Sequence, residues 1–216
     1  MKFILFVEGY TERAALREFL KRWLDRQLPR PVGVQVIRFN GCQDFIKDIP
    51  TRARMYLEGP QSTHILAAVG LLDLCGPTFY PSQATSAQER HAWAVAEIER
   101  QVNHPKFRMF FAVHELEAWI LSQPQLLPEP VRRSLPGSAD HPESIDFDQP
   151  PAKLLERLYR SHTGKSYKKR TYGEDLFRKL DPSVAYDKCP HLAQMLDYML
   201  RRIFPLEAAA VFLLSV

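Results

Sequence analysis

Only three cysteines, Cys42, Cys75 and Cys189, occur in 216 residues, and no two are spaced as CxxC. That argues against a disulfide framework, and the thiols read as small apolar residues of a reducing, cytoplasmic protein. The seven histidines show no paired spacing, and His114-Glu115 does not begin a zinc-protease motif, because position 118 is Ala where HExxH needs its second histidine. Nine glycines supply no GxGxxG behind an apolar run, so a dinucleotide cofactor is not expected, and no GxSxG elbow is present. Thr163-Gly-Lys-Ser166 matches the end of a phosphate-binding loop, but the glycine required five residues before Gly164 is Tyr159. Long apolar runs are missing as well. Residues 3–7 are cut short by Glu8, and the apolar tail 208–216 falls far below the roughly 20 residues of a membrane span.

What the chain does contain is an apolar run followed by acid, three times over. Residues 3–7 lead into Glu8-Gly-Tyr-Thr-Glu12, residues 65–72 into Asp73, and residues 109–113 into His114-Glu115-Leu-Glu117. A parallel α/β sheet carries its chemistry just beyond the carboxyl ends of its strands. If these runs are strands of one such sheet, Glu8, Asp73 and the Glu115/Glu117 pair converge at one edge. Gly9 then permits a tight turn, and Glu12 opens the next helix. Converging hard oxygen ligands are what Mg²⁺ or Mn²⁺ requires. A single acid at a strand end equally suits the first turn of the following helix, where the macrodipole favours negative charge. The recurrence points beyond capping.

Helical and strand patterns alternate along the chain. Leu16, Phe19, Leu20, Trp23, Leu24 and Leu28 share one face of a helix over 12–28, which Pro29 and Pro31 end. A strand at 34–39, a helix near 42–58 and the strand ending at Asp73 follow. After a loop at 76–84 come a helix near 85–102, a fourth strand and a short helix near 115–122. This order predicts an α/β three-layer sandwich with a mainly parallel central sheet over residues 1–123. Residues 124–151 hold seven prolines, and five acids against two arginines lie between Glu129 and Asp148. That stretch reads as an acidic excursion or linker. Residues 152–216 read as a small, basic, helical extension packed on the same core. From Lys153 to Asp181 nine Lys/Arg stand against four acids. At its centre, Lys165-Ser-Tyr-Lys-Lys-Arg-Thr-Tyr172 has the composition of a phosphate-backbone contact, with a solvated loop as the plain alternative.

The string from Glu8 to Glu12 behind an apolar strand resembles the first motif of the Toprim domain. That domain is shared by topoisomerases, bacterial primases, recombination mediators and overcoming-lysogenization-defect (OLD) nucleases. Asp73 resembles the first acid of the second Toprim motif, although Asp73-Leu74-Cys75 lacks the second acid of the usual Asp-x-Asp. With His114-Glu-Leu-Glu-Ala-Trp119 and the Tyr167-Lys-Lys region, the chain resembles a Toprim-related bacterial family often encoded beside AAA-type ATPases in defence loci. The resemblance implies a Toprim-like fold and a nuclease in which Glu8 and Asp73 hold one metal ion. It also implies that Glu12 and a later acid, Glu115 or Glu117, hold a second ion, with a downstream lysine assisting.

The expectation is therefore a nuclease using Mg²⁺ or Mn²⁺ to hydrolyse phosphodiesters of DNA or RNA, partnered with an AAA-type ATPase in phage defence. Lys165 or Lys168 would offset charge on the phosphate. The alternative is a non-catalytic nucleic-acid-binding or regulatory subunit of an ATPase complex, to which Cys75 and the apolar tail point. No membrane association is expected. Oligomeric state is not legible.

Overall fold

The computed structural model describes residues 1–74, 79–113, 115–144 and 149–204, without the side chains of residues 10–14 and 170. Expectations resting on Cys75, His114, the tail 208–216 and the Glu12 side chain lie outside the described residues.

Strands β1 (Lys2–Val7), β2 (Gly33–Arg38), β3 (Ile65–Asp73) and β4 (Phe107–Ala112) form an all-parallel sheet in the order β2-β1-β3-β4. The chain steps outward from β1 to β2, then back past β1 to β3. The order thus reverses between β1 and β3, and such a switch point opens a crevice at the carboxyl ends of the two strands. Helix α1 (Tyr10–Gln27) packs on one face of the sheet, and α2 (Cys42–Glu58) and α3 (Ala87–Val102) on the other. Right-handed crossovers in opposite directions require this arrangement. Both faces are covered, so the central strands read as continuous apolar runs. Phe3, Leu5, Val7, Val69 and Leu71 face α1, while Ile4, Phe6, Ala68 and Leu72 face α2 and α3.

Helix α1 lies over the β2 side of its face. The rest of that face receives no crossover helix, because the chain leaves the sheet after β4. It is covered instead by the second half of the chain: α4 (Glu117–Leu121), α5 (Glu129–Arg132), α6 (Pro151–Thr163), α7 (Glu174–Lys179), α8 (Pro182–Lys188) and α9 (Pro190–Ile203). Helix α9 lies against β3 and β4 and buries Leu192, Met195, Leu196 and Met199, each stabilising by roughly 1.5–3 kcal/mol. Helices α7 and α8 close on α1, where Phe177 meets Phe19 at 5.2 Å and Tyr186 stacks on Trp23 at 4.7 Å. Gly164, left-handed at φ 67°, caps the end of α6, which accounts for its place in the Thr163-Gly-Lys-Ser166 string.

Residues 124–144 run through single helical turns, and Leu127 and Val131 enter the core. Glu143 is buried and accepts hydrogen bonds from His191 N (2.7 Å) and Leu192 N (3.3 Å) at the start of α9. Burial pushes its carboxyl up to about 7 despite these donors. At the outer edge of the sheet the Met109 N–H points away from β3 and donates to Glu99 Oε1 on α3, at 2.9 Å. That bond blunts an edge otherwise open to strand addition. Among the described residues, no helix is long and apolar enough to cross a membrane.

Candidate functional site: carboxylates gathered around Lys169

Asp73 ends β3 in register with Ala112 of β4. Strand alternation turns it to the α1 face, with Val69 and Leu71. Its Oδ1 accepts from Leu116 N at 3.2 Å, and its Oδ2 lies 3.4 Å from Lys169 Nζ. Glu115, in the connection from β4 to α4, divides its oxygens in the same way. Oε2 accepts from Ala152 N at the start of α6 (2.9 Å), and Oε1 lies 3.4 Å from Lys169 Nζ. Glu117 opens α4, is only 3% exposed, and places Oε2 3.1 Å from the same ammonium. Three carboxylates from separate positions thus meet at one cation, and two of them are fixed by backbone donors from elements that close over the site.

Three carboxylates share the one Lys169 ammonium, so each is a like-charged neighbour of the others. Glu117 bears the consequence. Burial raises its carboxyl to about 7, Lys169 works against that rise, and Glu115 adds to it. Glu117 Oε2 has the ammonium as an ion-pair partner but lies off any hydrogen-bonding direction, so this buried oxygen is without a hydrogen bond. Its other oxygen receives the Tyr167 hydroxyl at 3.4 Å. Burial, reinforced by Glu117, holds the Tyr167 phenol above its usual range, so it stays protonated and can donate to Glu117. Burial acts to lower the Lys169 pKa, but Asp73, Glu117 and Glu115 together outweigh it and leave the ammonium firmly charged.

Lys169 reaches the cluster through a widened helical turn, Lys169–Gly173, in which Tyr172 N (2.9 Å) and Gly173 N (3.3 Å) both bond Lys168 O. Such π-type turns are frequent at functional sites. Gly173 is required here by close approach, since a Cβ at that position would meet Tyr167 Oη at 2.8 Å. A cavity of about 10 Å³ lies beside Glu117 and Lys169, walled by Ala15 of α1 and Phe177 of α7.

Of the acids singled out in the sequence, Asp73, Glu115 and Glu117 are brought together. Glu8 stands at the tip of β1 and accepts from Gly41 N through its carbonyl at 3.1 Å. Its carboxylate bears on Cys42 at the start of α2, a thiol pushed up to about 12 by burial and then by Glu8. Glu12 lies by its backbone in the first turn of α1. The chain bends at Glu8 and Gly9 and joins β1 to α1 in two residues, with Gly9 extended as the N-cap (φ −130°, ψ 179°). Trp119 is a core residue that stacks on Phe19 at 6.0 Å. Lys165 and Lys168 are exposed and line a separate concavity with Tyr172. The lysine at the carboxylates is Lys169. Its one sequence signal was alternation in an extended segment, with Tyr167 and Lys169 inward and Ser166 and Lys168 outward.

The donor set suits a hard divalent ion: three carboxylates, one with a buried oxygen lacking a hydrogen bond. As they stand, no three His, Cys, Asp or Glu side chains among the described residues are spaced to hold a metal. Lys169 Nζ occupies the point where the oxygens meet.

A sequence family described as "Domain of unknown function (DUF4276)" matches residues 7–200. A search of curated proteins finds no match. Among solved structures, the C-terminal region of the Burkholderia pseudomallei OLD protein is similar, with TM-score 0.46 and 19% identity over 91% of this chain and 96% of that one. The C-terminal region of the Xanthomonas campestris pv. campestris OLD protein gives TM-score 0.38 and 17% identity over 93% and 96%.

Proposed function

The chain belongs to the family described as Domain of unknown function (DUF4276), and from that premise we propose that it is a metal-dependent nuclease hydrolysing phosphodiesters of DNA or RNA. The observation that carries the reading is the convergence of Asp73, Glu115 and Glu117 within 3.1–3.4 Å of one cationic centre. The cluster lies past the carboxyl ends of β3 and β4, on the edge where open parallel sheets bind ligands. Burial raises the Glu117 carboxyl, and a perturbed carboxylate beside a specific charge partner at such an edge is a candidate functional group.

Asp73, Glu115 and Glu117 would hold Mg²⁺ or Mn²⁺, with Glu8 and Glu12 completing the set from the tip of β1 and the first turn of α1. The ion, when bound, supplies Lewis-acid stabilisation of charge on the phosphoryl oxygens. The protein's own part is preorganisation. The Leu116 and Ala152 N–H groups fix Asp73 and Glu115 before a ligand arrives. Lys169 offers its donors to a non-bridging phosphate oxygen. An AAA-type ATPase partner in phage defence is the setting that the string from Glu8 to Glu12 and its Toprim resemblance support.

The test is incubation of purified protein with labelled single-stranded DNA, duplex DNA and RNA in Mg²⁺ or Mn²⁺. Asp73→Asn, Glu117→Gln and Lys169→Met, each checked for folding, run alongside. Cutting is expected only with a divalent ion and is expected to fall by roughly 10²-fold or more in each variant. No cutting by the wild type, together with no metal binding by calorimetry, overturns the reading. One observation favours a second reading: Lys169 already ties the carboxylates into an ion-pair network. On that reading the chain is a nucleic-acid-binding or regulatory subunit of an ATPase complex, and it binds without cutting.

A further inference from the structure

Among the described residues four large hydrophobic side chains are exposed, Met1, Met55, Tyr172 and Phe204, and Tyr172 (36% exposed) lines a concavity. That concavity, of about 430 Å³, is walled by Lys165, Ser166, Lys168, Thr171, Tyr172 and Asp175. Lys165 and Lys168 are solvent-exposed, and neither is ion-paired among the described residues. Asp175 is the one acid of the wall, and its carboxylate faces Arg178 at 3.9 Å. The Tyr172 ring is braced from behind, with Tyr159 at 5.8 Å and Tyr167 a further 5.4 Å on, ending at Glu117 in the carboxylate cluster. The site therefore joins two cations, two hydroxyl donors and a supported aromatic face. It abuts the carboxylate cluster through adjacent residues, Lys168 outward and Lys169 inward.

We propose that this concavity binds single-stranded nucleic acid, stacking an unpaired base on Tyr172 and seating the flanking phosphates on Lys165 and Lys168. The assignment to single strands follows from the ring. A duplex keeps its base faces stacked internally, whereas a single strand offers them to an aromatic platform, and the hydroxyls of Ser166 and Thr171 add phosphate donors. The proposal rests on the nuclease reading and names its substrate class, since the strand so held runs on toward the cluster around Lys169.

Fluorescence anisotropy with a labelled oligothymidylate and a duplex of equal length, both in EDTA, measures this binding apart from any cleavage. The single strand is expected to bind at least about tenfold more tightly than the duplex. Tyr172→Ala should weaken it roughly 5- to 150-fold at an unchanged salt slope, while Tyr172→Phe, which keeps the ring, stays within about twofold of wild type. Lys165→Ala and Lys168→Ala should each lower the salt slope by roughly 0.7. Duplex binding as tight as the single strand, no binding at all, or a folded Tyr172→Ala that binds like wild type overturns the proposal. Cleavage without dependence on Tyr172 would sink the docking site and spare the nuclease. Tyr172-dependent binding with no cleavage in any metal would do the reverse.

Discussion

Replacing Glu117 by glutamine removes charge from the most buried member of the cluster and leaves its volume unchanged. Burial lifts the Glu117 carboxyl from 4.5 to about 7 in the folded protein. Above neutral pH the native state therefore holds an ion that the unfolded chain holds more comfortably. The shift of about 2.5 units corresponds to about 3 kcal/mol of destabilisation once both states are ionised. The sign follows from proton counting: between pH 4.5 and 7 the native state binds more protons than the unfolded state, so stability falls as pH rises. Glutamine stands in for the protonated acid. Glu117→Gln should thus match wild type near pH 4, gain on it through pH 4.5–7, and be more stable by about 3 kcal/mol at pH 8. Glu143, also raised to about 7, contributes a similar pH dependence but is present in both proteins and cancels in the difference. Urea denaturation at half-unit pH steps provides the difference curve. A curve flat in pH, or a variant less stable than wild type at pH 8, would refute the claim that Glu117 is a strained buried carboxylate.

Three further outcomes are expected. Mn²⁺ or Mg²⁺ at 100 times its dissociation constant should raise wild-type unfolding stability by about 2.7 kcal/mol, and Asp73→Asn should lose most of that gain in the same urea titration. Gly173→Ala places a Cβ 2.8 Å from the Tyr167 hydroxyl; a loss of roughly 1–3 kcal/mol is expected, with Lys169 displaced from the carboxylates, visible as a weakened dependence of stability on ionic strength. Leu196→Ala truncates a fully buried side chain of α9 over the sheet; thermal or chemical denaturation should show a loss of roughly 2–5 kcal/mol.

The sheet was legible because its strands are unusually plain. Residues 3–7 and 65–72 are apolar without alternation, which only a doubly covered strand requires, and acid follows each at once. Local chemistry also marked α1, whose apolar face repeats at helical spacing. Lys169 was not legible, because it sits in a run with Lys165, Lys168 and Arg170 and composition treats these as equals. What separates them is the inward turn at Lys169–Gly173, a tertiary feature set by the close approach of Gly173 to Tyr167. The role of Glu143 was hidden for a related reason. In a proline-rich acidic stretch it looks like one more solvated charge, yet the stretch folds back and spends that carboxylate on the first N–H groups of α9. Partners nearly fifty residues apart leave no local periodicity to read.

Ninety-six residues separate Asp73 from Lys169, and that distance has a consequence for the order of assembly. Synthesis completes the sheet and all three cluster carboxylates well before Lys169 leaves the ribosome. Until then Asp73, Glu115 and Glu117 are without the Lys169 ammonium, and the part of the β3–β4 face that the later helices cover lies bare. The helical layer that covers this face also carries the lysine, so closing the core and bringing Lys169 to the carboxylates are one event. A nascent or truncated chain ending before α6 would be both adhesive and inert. Whatever chemistry the cluster performs is withheld until nearly the whole chain is folded.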